Sequence, residues 1–227
     1  MANLTSSSFS APAYARLREQ IRSDVVSGVW TLGQHVTLAT LTAHYDVSAN
    51  PVREALHQLQ GEGVVEMRMN RGAVIRTVDA RFVSNIYDIR GAIEALLAAE
   101  AARSADEPYL AAVTRAVEGY EAAVAQQPVL EIVGANRRLH RAINSIADNP
   151  MAHEILEGRS TLVDALRRSL GYSRQRLADV VQQHREFLAA LEARDPDRAA
   201  RVALHHTRNA RDDLLRLLAD QKVVETT

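Results

Sequence analysis

The chain of 227 residues contains no cysteine, which excludes disulfide bonds, thiolate zinc sites and cysteine catalysis. It has no apolar run approaching roughly 18 residues and opens with no signal-peptide pattern, so we expect a cytoplasmic protein with no membrane partner. Lysine is nearly absent, because Lys222 is the only lysine among 27 basic residues. The net charge of −1 argues against a protein that coats nucleic acid without specificity.

Helical patterns fill most of the chain, and strand patterns occupy one short region. The length leaves room for two domains of ordinary size. A serine-rich segment without periodicity opens the chain, and we predict that it is disordered. The predicted organisation is a disordered N-terminus over 1–11, a DNA-binding domain over 12–78, an all-helical domain over 79–220 and a C-terminal tail over 221–227.

The segment from residue 38 to residue 77 combines two short helical patterns with two strand-like patterns. A polar turn joins the helices, and either Ser48 or Asn50 can cap the second one. Residues 64–69 and 73–77 read as the two strands. Helix, turn, helix and a two-stranded wing form a winged helix-turn-helix, a shape suited to the major groove of DNA. The tip of the wing consists of Asn70, Arg71 and Gly72.

Side chains on the outer face of the second helix are candidates for DNA contact. Arg53 is the best candidate for bidentate reading of guanine, with a phosphate contact or an ion pair to Glu54 or Glu62 as alternatives. Asn50 could read adenine or only cap the helix, and His57 could contact either a phosphate or a base. The full set of predicted DNA contacts is Ser48, Asn50, Arg53, His57, Asn70, Arg71 and Gly72.

The segment VSANPVREALHQLQGEGVVEMRMNRGAVI, residues 47–75, resembles the DNA-binding domain of the GntR family of bacterial transcription factors. The shared pattern is a Val-Ser turn, then Pro-Val-Arg-Glu-Ala-Leu, then Leu-x-x-x-Gly and an Asn-Arg-Gly wing. This resemblance implies binding to a double-stranded DNA operator. One departure is Ala49, which stands where the family commonly has an arginine, so the operator sequence of relatives does not transfer.

Six helical patterns separated by proline or glycine follow the wing. They cover residues 81–103, 108–126, 128–147, 151–170, 174–194 and 196–220. We therefore predict a mainly α fold, in which the winged domain precedes an all-α antiparallel bundle of about six helices. A C-terminal helical domain of this size resembles the FCD domain of the FadR-like branch of the GntR family, which implies effector binding and dimerisation.

Four residues of the helical domain have a spacing that permits a metal site. Asn136 and His140 lie one turn apart on one helix, while His184 and His206 are 22 residues apart with a turn at 195–196 halfway between them. Folding those helices back antiparallel would bring all three histidines together. Imidazole suits zinc, nickel, manganese or iron. The alternative is that these histidines are buried and simply hydrogen-bonded.

The resemblance to FCD domains favours the metal site. Many of them have Asp or Asn followed four residues later by His, and two further histidines at the separation found here. This implies a divalent ion, zinc foremost, held by Asn136, His140, His184 and His206. FCD relatives also often have an Arg-x-x-x-Glu phrase, which implies that Arg90 contacts the carboxylate of an effector. The alternative for Arg90 is an ion pair with Glu94 on a solvated helix face.

These features predict a ligand-responsive transcriptional regulator that is not an enzyme: a repressor released by a small organic acid. We expect a homodimer on a pseudo-palindromic operator, since one small module makes too few base contacts. One alternative is a metal-dependent enzyme domain fused to a DNA-binding head, which would need a general base that no motif spacing supplies. Another is a DNA-binding protein whose bundle is purely structural.

Overall fold

The structure, a computed structural model, describes residues 12–224 except residues 70 and 127, and it describes their side chains except those of residues 159 and 222–224. The chain divides into two compact units between Arg76 and Thr77. The N-terminal segment predicted to be disordered and Asn70 at the wing tip lie outside the described residues.

The first unit is a winged helix-turn-helix with a three-stranded antiparallel sheet in the order β1-β3-β2. Leu41 of the first helix of the motif and Val52, Leu56 and Leu59 of the second are almost completely buried, which fixes the two helices against each other. The elements are α1 (Ala13–Ser27), β1 (His35–Val36), α2 (Leu38–Tyr45), α3 (Ala49–Gly61), β2 (Val65–Arg68) and β3 (Gly72–Ile75).

The start of α3 differs in part from the prediction. Ser48 occupies the N-cap position, but its side chain makes no cap hydrogen bond. Asn50 lies inside the helix, and its Oδ1 accepts a long hydrogen bond of 3.5 Å from Nη1 of Arg53. The expected position of Ser48 as the cap is therefore confirmed, although its side chain makes no cap hydrogen bond, and the expectation that Asn50 could cap α3 is wrong. Both side chains are exposed.

An aromatic anchor joins α1 to α2. The indole Nε1 of the buried Trp30 donates to the hydroxyl of Tyr45 at 2.7 Å, and that hydroxyl donates to Oδ2 of Asp24 at 2.6 Å. Asp24 is itself only 8% exposed. This chain of hydrogen bonds satisfies the buried carboxylate and holds the first helix of the motif on α1.

The wing contains a third strand that the sequence pattern did not predict. Strand β1 has two residues, too few for an alternating pattern, and it pairs with β3 so that His35 lies opposite Val74. At the start of β3, Gly72 has a φ of +93°, and a Cβ there would lie 2.2 Å from the carbonyl oxygen of Val36. Only glycine allows the two backbones to approach this closely.

The second unit is a bundle of six helices, as predicted. In this bundle α4 packs along α9, α5 packs against α6 and α8, and α7 packs against α6 and α4. Its helices are α4 (Ala80–Ser104), α5 (Glu107–Gln126), α6 (Val129–Asn144), α7 (Pro150–Leu170), α8 (Arg174–Glu192) and α9 (Pro196–Val224). Helix α6 ends three residues before the expected end, and α9 continues four residues beyond Asp220 into the predicted tail.

The apolar face of α4 is split rather than continuous. Ile86 and Leu97 are buried in the bundle, whereas Ile89 and Leu96 are 51% and 57% exposed. The sequence pattern could not make this distinction because it counts apolar residues over a broad arc of the helix. Among the described residues, no helix has both the length and the apolar character needed to cross a lipid bilayer.

Substitution of Gly72 by alanine should destabilise the first unit, because the new Cβ must displace β1 or β3 in a backbone conformation that alanine avoids. We expect a loss of about 1–3 kcal/mol. Thermal unfolding followed by fluorescence reports this unit specifically, because Trp30 is the single tryptophan.

Gly61→Ala is the matched control, since no described atom lies within 4 Å of a Cβ added at this position in α3. Alanine favours a helix by about 1 kcal/mol over glycine, so the control should unfold at the same or a higher temperature. An equal loss in both variants would contradict the assigned contact.

Candidate functional site

A cleft of about 510 Å³ lies between the N-terminus of α2, helix α3 and the wing. Predicted DNA contacts that line it are Arg53, His57, Arg71 and Gly72. Arg68 lines the same cleft and was not among the predicted contacts, since an arginine in a strand carries no motif signal. Ser48 and Asn50 do not line the cleft, and for them DNA contact stays a prediction.

Arg53 projects from the outer face of α3 and makes no ion pair with any described residue. Its weak hydrogen bond to Asn50 leaves most of its donors open. Glu62, one of the alternative partners, instead pairs with Arg22 at 2.5 Å and lies 3.6 Å from Arg18. The guanidinium is therefore free to bind outside the protein, as a DNA contact requires.

Three histidines converge inside the bundle from three helices. His140 comes from α6, His184 from α8 and His206 from α9, and one nitrogen of each ring lies within 4.8 Å of the others. His184 and His206 are 3% and 8% exposed. Within the described part of the chain, no other group of His, Cys, Asp or Glu has this arrangement. The expectation that the spacing brings the three together is confirmed.

The triad is the centre of a region of unpaired polar atoms. Among the described residues, the buried side-chain nitrogens and oxygens without a hydrogen-bond partner are Oη of Tyr120, Nε2 of His140, Nε of Arg176 and both ring nitrogens of His184. The ring of Tyr120 meets that of His184 edge-on at a centroid distance of 4.7 Å. Each such atom costs on the order of 1–3 kcal/mol, so their concentration at one place points to a binding site.

His206 is oriented by a second layer of contacts. Its Nδ1 lies 3.0 Å from Oε1 of Gln183, and Nη1 of Arg176 donates to the same oxygen at 3.0 Å. Arginine can only donate, so the shared atom is the amide oxygen and the histidine proton resides on Nδ1. The lone pair of Nε2 is then available to a metal, the arrangement usual for metal-binding histidines.

The environment keeps these imidazoles neutral. Burial lowers the pKa of His184 well below its ordinary value near 6.5, and the positive charge of nearby His140 and Arg176 lowers it further. Burial, followed by Arg176, has the same effect on the pKa of His206. Burial also lowers the pKa of His140, against the opposing pull of Glu94. At neutral pH the rings therefore carry lone pairs rather than additional protons.

Glu94 was missed as part of the site. Its carboxylate accepts from Nε and Nη2 of Arg90 at 3.0 and 2.8 Å, and its other oxygen lies 3.7 Å from Nδ1 of His140. The sequence showed the pair with Arg90, but helical spacing does not reveal which face points inward. The pair is buried rather than solvated, since Glu94 is 5% exposed.

Two of the cavities beside the triad share lining residues. The histidine cavity, lined by His140, His184 and His206, holds about 20 Å³. The outer cavity between α4, α6 and α7 holds about 70 Å³ and shares His140 and Glu94 with it. Asn136 is half-buried and lines the outer cavity but not the histidine cavity, so its role as a ligand stays a prediction.

The residues fit a zinc ion. Zinc binds histidine nitrogens at about 2.0–2.1 Å, which places tetrahedral ligand atoms about 3.4 Å apart. The ring nitrogens, which are at most 4.8 Å apart, would approach one another to reach this value on binding the ion. A neutral, nitrogen-only triad with unpartnered lone pairs matches the ligand preference of zinc and other late first-row metals.

A winged helix-turn-helix with a basic cleft, joined in one chain to a helical bundle with a buried polar pocket, defines a DNA-binding regulator with a sensor domain. Residues 13–75 match the gntR family of bacterial regulatory proteins, and residues 85–209 match the FCD domain. The chain belongs to the GntR family of transcriptional regulators and carries an FCD domain, the ligand-binding effector domain of such regulators.

Similar proteins span nearly the whole chain. The HTH-type transcriptional repressor RspR of Escherichia coli K12 is 24% identical over 86% of both chains. The HTH-type transcriptional repressor GlaR of the same organism is 28% identical over 82% of this chain and 88% of its own. The solved structure of E. coli McbR/YncC has a TM-score of 0.79 at 20% identity, covers 94% of this chain and all of its own, and shows the same fold.

Replacing His184 or His206 by alanine should weaken zinc binding, because each substitution removes one of three clustered ring nitrogens. The loss should exceed the roughly 10–100-fold that removal of an outer partner of a metal ligand costs. Calorimetric titration of zinc into the metal-free protein measures it. His205→Ala is the control, since His205 is exposed beside the triad. Equal affinity in all variants would remove the triad as the metal site.

Proposed function

We propose that this protein is a metal-dependent, ligand-responsive repressor that acts as a homodimer and leaves its operator when an organic acid binds in the FCD domain. The observation that carries this proposal is the buried histidine triad with unpartnered nitrogens. The relatives that are named as repressors support a negative effect on transcription. The regulator family supports a cytoplasmic location.

His140, His184 and His206 would hold the divalent ion, with Oδ1 of Asn136 as a fourth ligand. Asparagine brings no negative charge, so the site binds its ion less strongly than one with a carboxylate. The bound ion supplies positive charge and open coordination positions for a carboxylate. Arg90 lines the adjoining cavities, and it can contact the same carboxylate while Glu94 holds it in place.

The DNA-binding surface consists of α3 and the wing. Arg53 would read a base in the major groove, while Arg71 at the tip of the wing reaches the phosphate backbone or the minor groove. Ser48, Asn50 and His57 complete the contacts of α3. Their exposed side chains support this role. The hydroxyl of Ser48 is available because it makes no cap hydrogen bond to the helix.

The exposed apolar face of α4 supports the homodimer. Ile89, Ala92 and Leu96 follow one another at helical spacing, and the two larger residues are more than half exposed. Such a stripe has no partner among the described residues of the bundle, and an isologous contact between two copies would bury it twice. A dimer doubles the base contacts that one module offers and matches a pseudo-palindrome.

Arg53→Ala should abolish discrimination between an operator and random DNA, at a cost of about 1–3 kcal/mol per lost base contact. Operators are obtained by selecting bound duplexes from a random pool, and affinity is measured by fluorescence anisotropy against competitor DNA. Gln60→Ala, which changes an exposed residue farther along α3, is the control. Retained specificity in Arg53→Ala would exclude Arg53 from base reading.

Carboxylic acids should lower operator affinity only when the metal site is intact. We expect at least one acid of a small panel to weaken binding by the zinc-loaded protein about 5–150-fold, the usual range of allosteric coupling. The double variant His184→Ala/His206→Ala should bind the operator normally and show no response. A response that persists in this variant, or that needs no metal, would refute the proposed mechanism.

A further inference from the structure

Arg176 of α8 is a buried cation that has no counter-ion among the described residues. It is 3% exposed and lines a cavity of about 30 Å³, here called the arginine cavity, whose other charged lining residues are Arg90, Arg167, Glu94 and Asp164. Its Nη1 donates to Gln183 and its Nη2 to the carbonyl oxygen of His206, both neutral acceptors, at 3.0 and 3.3 Å. Its Nε has no partner among the described residues.

Each of the other arginines around this region has its own carboxylate. Arg90 pairs with Glu94 at 2.8 Å, and Arg167 pairs with Asp213 at 2.5 Å. Nε of Arg137 donates to Asp164 at 3.0 Å. Each of these carboxylates is thus paired with another arginine, and Asp213 also lies 3.9 Å from Arg216. Within the described residues, none remains within ion-pair distance of Arg176.

An unpaired buried cation is unfavourable, because burial removes its hydration without replacing it by an anion. Among the described residues, the groups around Arg176 therefore lack one negative charge, which an anion in the arginine cavity would supply.

The arginine cavity has room for one anionic group. A water molecule needs at least about 10–15 Å³ of such space, so about 30 Å³ is on the scale of the two oxygens of a carboxylate. The cavity shares Glu94 and His206 with the histidine cavity. Since His206 lines both cavities and Nη2 of Arg176 donates to its carbonyl oxygen, the arginine cavity adjoins the triad.

We propose that the arginine cavity is a second anion subsite in which Arg176 binds the distal carboxylate of the effector, so that the effector is a small dicarboxylic acid. This proposal rests on the proposed function for the end held at the triad. A guanidinium that offers Nε with an Nη binds a carboxylate in bidentate geometry, which selects a dianion over a monoacid of equal length. The alternative is that Arg176 has a purely structural role, in which it joins the side chain of Gln183 on α8 to the carbonyl oxygen of His206 on α9.

The test compares diacids with monoacids of the same chain length. Malonate, succinate and glutarate are titrated calorimetrically into zinc-loaded protein beside propionate, butyrate and pentanoate. We expect one diacid to bind the wild type at least about tenfold more tightly than its monoacid, as a charged hydrogen-bonded contact implies. Arg176→Gln should reduce this ratio to near one, and because the ratio compares two acids on the same variant, it does not depend on any change in zinc or monoacid affinity that the loss of the Arg176–Gln183 contact causes.

Arg174→Gln is the matched control, because Arg174 is exposed on the same helix. Arg176→Lys keeps the positive charge but loses the planar pair of N–H donors, so it should retain an intermediate preference for the diacid. Circular dichroism and zinc titration confirm that each variant folds. A wild type without diacid preference, or a preference that survives in Arg176→Gln, overturns the subsite.

The same titrations in metal-free protein separate this inference from the proposed function. If zinc does not bind the wild type, the metal site fails. The Arg176 subsite still predicts that at least one of the three diacids binds, that Arg176→Gln abolishes this binding and that Arg174→Gln preserves it. If zinc and monoacids bind but diacids gain nothing, the subsite fails and the metal site stands.

Discussion

The site in the second unit depends on one constraint: three imidazoles stay neutral inside a helical bundle, and in the described part of the chain both ring nitrogens of His184 and Nε2 of His140 have no hydrogen-bond partner. Their hydrogen-bond deficit is unfavourable, and the packed core of six helices offsets it. The neighbouring groups serve the same end. Gln183 and Arg176 set the tautomer of His206, and Tyr120 encloses His184 with an aromatic face. A site under this strain gains the most from a ligand that satisfies it.

The two units hold their binding groups in opposite environments, exposed in the first unit and buried in the second. In the winged unit, Arg53 and Arg71 are exposed and have few internal contacts, while the backbone that carries them is tightly fixed by the Trp30 anchor and the close approach at Gly72. In the bundle, the available groups are buried and water is largely excluded, so each electrostatic contact is stronger. Contact with long, charged DNA needs exposed side chains on a fixed backbone. Recognition of a small anion needs polar groups inside a buried pocket.

Much of the fold could be predicted because its signals are local. Proline and glycine mark the helix ends, and the apolar period of each helix is long enough to count. The errors arose where a signal was too short or where tertiary contacts chose between options. Strand β1 has two residues and exists only because β3 lies beside it. Ser48 has the right chemistry for a cap, yet its side chain makes no cap hydrogen bond in the folded turn.

The sequence by itself determined the order of the two units, the six helices of the bundle and the three histidines, since each depends on residue type and spacing along one chain. Only the tertiary structure decided which groups share a pocket and which of them lack partners. Glu94 became part of the site through the rotation of α4, and Arg176 became an unpaired cation because the nearby carboxylates were taken. These are properties of packing between helices distant in sequence, and a one-dimensional pattern does not contain them.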